Sequence, residues 1–186
     1  MFLPGVGMAD AKSFGGLDRL AIGLHSLLKR AARMNYYESV VMDYLRADRA
    51  IFVNTEYCIQ LNPGYNPDKS GPHWYCDAVA LDVRAKEIFL CEISYAADLN
   101  GLVNRLKGWS ANWDGVCRAV ARDCFLAEQW PITPWLFVPK DRVSLLEKRL
   151  LEIANGQPSK FIPKITHLEE VQPWRYPWIR NCECPI

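Results

Sequence analysis

Two apolar runs separated by a short charged stretch stand out along the chain: Asp77-Ala-Val-Ala-Leu-Asp82, then Val83-Arg-Ala-Lys-Glu87, then Ile88-Phe-Leu-Cys-Glu92-Ile-Ser94. This pattern predicts an antiparallel hairpin over 73–95. Just upstream, residues 51–61 alternate. Ile51, Val53, Thr55, Tyr57, Ile59 and Leu61 fall on one face, and Asn54, Glu56 and Gln60 on the other, which predicts a half-buried strand. Residues 62–72 (Asn-Pro-Gly-Tyr-Asn-Pro-Asp-Lys-Ser-Gly-Pro) are turn formers throughout and predict a loop. Before the strand, Leu17, Leu20, Ala21, Leu24, Leu28 and Ala31 recur at helical spacing, predicting a helix over 17–33 behind a glycine-containing lead-in at 1–16. A second helix is expected over 35–47, with Tyr37, Val41, Tyr44 and Leu45 inward. Asn35 and Glu38 fit a capping box there. The two helices read equally well as one bent helix.

Downstream, Leu99, Leu102, Val103, Leu106, Trp109, Trp113, Val116 and Val120 hold a helical stripe, predicting one long helix over 98–125. Gly101, Gly108 and Gly115 recur along it and are read as points of close approach to a sheet. Residues 134–139 form an apolar strand between prolines. Asp141 is expected to cap a helix running to 154, and Pro163 restricts a last strand over 161–168 to a sheet edge. The order is α-β-β-β-α-β: an α/β fold with a mixed four-stranded sheet flanked by helices and additional elements at both ends. The crossover between the third and fourth strands makes those two parallel.

Composition narrows the class. The 186 residues suit a single domain with a substantial core. Half are hydrophobic, 23% are charged, and the net charge is +1, so no global basic field draws a polyanion. Nucleic-acid contact would need a local patch. Lys29, Arg30 and Arg33 offer one, or else form a solvated helix end; the aromatic, basic run at 173–180 either packs back on the domain or offers another, as a surface on which bases stack. The seven cysteines are irregularly spaced. Cys182 and Cys184 form the one close pair, without two further clustered ligands for zinc, and the set reads as free thiols. No secretory signal pattern and no membrane-length apolar stretch occur, which leads to the expectation of a cytoplasmic protein without membrane contact. His25, His73 and His167 lack metal-ligand spacing.

One carboxylate sits inside each strand of the hairpin, where carboxylates are poor strand formers and costly to bury alone. With the turn centred between Arg84 and Ala85, facing positions sum to 169, and Asp77 lies opposite Glu92. Side chains so opposed share a face, roughly 5 Å apart at Cβ. Bare, they repel; a shared cation lets both stay ionised.

An Asp in the second strand and Glu-x-Ser in the third, within this element order, resemble the PD-(D/E)xK nuclease superfamily, the restriction-endonuclease-like fold, over roughly residues 35–139. The resemblance implies a Mg²⁺ or Mn²⁺ site made by Asp77, Glu92 and the main-chain carbonyl of Ile93, with Glu38 as the helix acid. It implies hydrolysis of phosphodiesters, in DNA rather than RNA. The chain departs from the family pattern at Ser94, which stands where the motif lysine belongs; Cys76 stands where a proline is usual. Either a lysine has moved, with Lys107 on the long helix favoured over Lys69 and Lys140, or Ser94 orients water beside the metal, or the site is dead. In the last case the chain is an inactive module of nuclease fold, serving nucleic-acid binding or assembly with a protein partner or a second copy.

Overall fold

Five strands lie side by side in chain order in one mixed sheet. The computed structural model describes residues 36–62, 71–124, 130–154 and 161–175, all within the unit Tyr36–Ile186. The lead-in, the helix expected over 17–33 with its basic patch, Asn35, Lys69, the tail beyond 175 and the Cys182–Cys184 pair lie outside the described residues.

Helix α1 (Tyr36–Ala47) precedes β1 (Ile51–Gln60), β2 (His73–Asp82) and β3 (Glu87–Ile93). Helices α2 (Asn100–Ala111) and α3 (Trp113–Cys124) lead to β4 (Ile132–Val138). A 3-10 turn (Lys140–Arg142) then runs into α4 (Val143–Ala154), followed by β5 (Lys164–His167). The first three strands form an antiparallel meander; β4 joins β3, and β5 joins β4, in parallel. The sheet thus has five strands where four were expected. The segment after Pro163 pairs with β4 from Lys164 onward, so the proline, which has no N–H to donate, sits just outside the ladder.

The hairpin register runs from Ala78 opposite Cys91 to Asp82 opposite Glu87. Its turn manages without glycine. Asp82 Oδ1 accepts the N–H groups of Arg84 and Ala85, both at 2.9 Å, and Lys86 takes the left-handed conformation at φ 56°.

Two apolar layers flank the sheet. On one face α2, α3 and α4 bury Leu102, Leu106, Trp109, Val116 and Leu146 against Val79, Ile88, Leu90 and Leu136. On the other, α1 buries Val40, Val41 and Leu45 against Ala78, Ala80, Phe89, Cys91 and Phe137. Strand β3 divides between the layers with the two-residue period of a strand.

β1 does not keep one face inward. Ile51 and Val53 pack with the α1 layer, whereas Tyr57 and Ile59 belong to the α2–α4 layer. Its partner changes face at the same point, with Ala78 and Ala80 in the α1 layer and Cys76 in the other. The exchange occurs at Glu56, which adopts φ 54°. Pairing skips Glu56 and Asp77 and resumes unshifted, Thr55 opposite Ala78 and Tyr57 opposite Cys76. Uniform alternation was the wrong expectation because one left-handed residue rotates the rest of the strand.

The long helix expected over 98–125 is two helices. Asn112 leaves the helical conformation (φ −124°, ψ 23°); its N–H donates to the Trp109 carbonyl and its Nδ2 to that of Gly108. An Asn side chain competing for nearby carbonyls is a sufficient reason for the break. Close approach explains Gly108, where a Cβ would stand 2.7 Å from Trp74 Nε1, but Gly101 has nothing within 4 Å. Asp141 lies inside the 3-10 turn and pairs with Arg142 at 3.1 Å, and the residue before that turn is Pro139.

Candidate functional site

The β2–β3 ladder ends at Ala78 opposite Cys91, one step before Asp77 would face Glu92. Strand β2 exchanges faces there, and beyond the last ladder pair the Asp77 carboxylate serves as the acceptor. Its Oδ2 accepts the Ile93 N–H at 2.6 Å. In an extended strand the N–H and C=O of one residue point to the same edge. The Ile93 carbonyl therefore opens on the side where Asp77 stands.

Glu92 has no exposed surface. Its Oε2 accepts two hydrogen bonds from Arg105 of α2, from Nε at 2.9 Å and from Nη2 at 2.6 Å. Its Oε1 is buried with no hydrogen-bond partner among the described residues. Burial pushes the Glu92 carboxyl up to about 8, with the Asp77 charge adding to the rise and Arg105 opposing it. Burial also raises Asp77, against the pull of the Ile93 N–H and Arg105. Arg105 would be lowered by its own burial, but Glu92, with Asp77 and Cys76, more than offsets this and leaves it raised. Two carboxylates and one guanidinium thus form one electrostatic unit with net charge −1 when all are ionised. Cys76 and Cys91 lie within its field, their thiols pushed up by burial and then by these carboxylates.

The other residues singled out from sequence are placed as follows. Ser94 lies just past β3, half-buried, with its N–H on the Phe137 carbonyl at 3.0 Å. Lys107 is exposed on α2. Glu38 is half-buried on α1, the helix that covers the other face of the sheet, and is not among the groups that shift Asp77 or Glu92. Lys140 opens the 3-10 turn, its N–H donated to Glu169.

Sequence reasoning missed Arg105. Arg105 and Lys107 flank the apolar stripe of α2 on opposite sides, and the spacing within a helix does not tell which flank looks toward the acids. A usable signal was the residue type: an Arg fork pairs with a buried carboxylate far better than the compact Lys ammonium does.

Among the described residues, no three His, Cys, Asp or Glu side chains gather into a metal-holding group. The pair nonetheless suits a hard cation with oxygen ligands: two carboxylates near enough for the Asp77 charge to raise Glu92, one oxygen of Glu92 without a partner, and the Ile93 carbonyl. Among the described residues no helix is long and apolar enough to cross a membrane, and Cys58, Cys76, Cys91, Cys117 and Cys124 are free. Neither a protein family nor a curated protein matches the sequence.

Proposed function

We propose that the chain is a metal-dependent nuclease of the PD-(D/E)xK kind, in which Asp77, Glu92 and the Ile93 carbonyl hold Mg²⁺ or Mn²⁺ and Arg105 supplies the positive charge that Ser94 cannot. The observation that carries this reading is the partnerless, buried Oε1 of Glu92 beside a second carboxylate. An acceptor left unsatisfied at that depth costs about 1–3 kcal/mol and calls for a ligand. When bound, the cation would polarise a phosphodiester and acidify a water. Asp77 and Glu92 would orient it, and Arg105 would hold Glu92 ionised and offer a guanidinium to a phosphate oxygen. DNA as the substrate rests on the family resemblance.

A specific observation favours a second reading. Glu92 is fully covered, and Arg105 already donates two hydrogen bonds to one of its oxygens. A carboxylate this buried and already held by Arg105 through one oxygen also suits an inactive module in which the former site has become a structural clasp.

The deciding experiment combines cleavage and metal binding. Supercoiled and single-stranded DNA are incubated with the protein and Mg²⁺ or Mn²⁺, and melting is followed with and without the cation. The nuclease reading expects nicking or degradation, together with a cation-dependent rise in melting temperature. Asp77→Ala abolishes both. No cleavage and a melting curve indifferent to millimolar cation would leave the inactive module.

A further inference from the structure

The parallel strands β3, β4 and β5 end together, and beyond their carboxyl ends lies a cleft of about 650 Å³. Open α/β sheets take ligands at this end of their strands, and the volume is that of a small-molecule site. One wall is the start of α1 and the residue after Ser94; the other is the 3-10 turn and the segment after β5.

The first wall is aromatic. Tyr37 and Tyr95 stack with ring centroids 4.2 Å apart and planes 14° from parallel. Tyr36 meets Tyr37 edge-on at 5.4 Å. Tyr36 is 63% exposed and Tyr95 54%. Clustered aromatic rings left in water at the mouth of a cleft are a costly arrangement unless something covers them. Their mutual stacking fixes the rings, so a flat partner binds them at little entropic cost.

The second wall carries Arg142 and Arg175, balanced by Asp141, which pairs with Arg142, and by Glu169, whose two oxygens accept the Lys140 N–H at 3.2 and 3.0 Å. The cleft therefore has no excess positive charge, and a phosphate backbone is not drawn to it by field alone. A planar group suits it better, with carboxylates to accept from exocyclic amines and an exposed Arg175 to meet one phosphate.

We propose that this cleft binds an unpaired base of a single-stranded nucleic acid, stacked on the Tyr36–Tyr37–Tyr95 cluster. The inference needs no cleavage and stands whether or not the acid pair is a catalyst. A duplex keeps its bases stacked inside and cannot present one.

The test is fluorescence anisotropy of labelled single-stranded oligonucleotides and the matching duplex, in metal-free buffer so that nothing is cut. The full chain is expected to prefer the single strand. Tyr36→Ala and Tyr95→Ala should each weaken binding about 10-fold, from the loss of one stacking face. Tyr95→Phe keeps the ring and the affinity, and Lys148→Ala, exposed on α4 away from the cleft, leaves binding unchanged. Circular dichroism confirms that each variant is folded. Three results would overturn the proposal: no binding up to about 100 µM, the weak end of non-specific association; duplex bound as tightly as single strand; or folded tyrosine-to-alanine variants that bind like the wild type.

Discussion

The Asp77 carboxylate accepts the main-chain N–H of Ile93 and so continues, with a side chain, a ladder that the backbone of β2 has already left. Removing it strips a buried strand end of its acceptor. Asp77→Ala is expected to cost about 1–3 kcal/mol in urea denaturation without metal. Asp77→Asn keeps an oxygen in the same place and should cost clearly less. Equal losses for the two would show that the carboxylate contributes charge rather than this hydrogen bond.

Glu92 gives the chain a pH dependence of definite sign. Its folded value is raised to about 8 from an ordinary 4.5. Between those two values the native state keeps a proton that the unfolded state has released. Stability therefore falls as pH rises through this window and levels off above it, by at most about 1.4 kcal/mol per pH unit for this group. Asp77, raised as well, contributes with the same sign. Melting temperatures taken across the window should decline, and Glu92→Gln, neutral at every pH, should flatten the decline. A melting temperature that climbs from pH 5 to pH 8 in the wild type, by contrast, sinks this assignment.

Arg105 and Lys107 make opposite predictions although a single residue, Leu106, lies between them. Arg105→Ala leaves the buried Glu92 without its donors, at about 1–3 kcal/mol where Glu92 is protonated and more above about pH 8, where it is charged. Most of that loss should disappear in the Arg105→Ala, Glu92→Gln pair, the signature of direct coupling. Arg105→Lys keeps the charge but not the fork and should fall between. Lys107→Ala, on the exposed side of α2, should stay within about 0.5 kcal/mol. If the chain cleaves DNA, Arg105→Ala lowers the rate by about 10²-fold or more, a loss typical of a positioned catalytic group, and Lys107→Ala leaves it unchanged. Placing a lysine two residues after Glu92 with Ser94→Lys then raises activity in the Arg105→Ala background.

Glu56 sits in the left-handed region with its side chain in solvent. Substitution there isolates the backbone term. Glu56→Gly should be neutral or mildly stabilising, because glycine adopts that conformation freely. Glu56→Val, branched at Cβ, should destabilise by about 1–2 kcal/mol. The measurement is again chemical denaturation, and a tolerated valine would mean that the strand can straighten.

Two helix glycines behave differently for reasons visible in their surroundings. Gly101→Ala meets open space and should stabilise α2 by up to about 1 kcal/mol. Gly108→Ala drives a methyl into the rigid Trp74 indole and should cost about 1–3 kcal/mol.

Much of this architecture is legible in the sequence because it rests on local periodicity. Alternation marked the hairpin, and a turn centred between Arg84 and Ala85 gives the register observed from Ala78 opposite Cys91 to Asp82 opposite Glu87. The parallel placement of β4 followed from chain connectivity. What escaped depends on single residues acting against a pattern. Glu56 looks like an outward position on a uniform strand, and nothing in its type announces a positive φ. Asn112 sits inside an unbroken apolar stripe, and its competition for the Trp109 and Gly108 carbonyls emerges only once the helix is built. Arg105 needed knowledge of how α2 crosses the sheet, which belongs to tertiary packing.

The exchange of faces at Glu56 and Asp77 has a mechanical meaning. Strands β1 and β2 each lend one half to the α1 layer and the other half to the α2–α4 layer, so the two cores are stitched through shared backbone. Neither layer can open while the other stays shut without tearing a strand in mid-length. Amide protons of Ala78 and Leu90, deep in the two layers, should then exchange with solvent at a common rate set by global unfolding, and the molecule should melt as one cooperative body across all five strands.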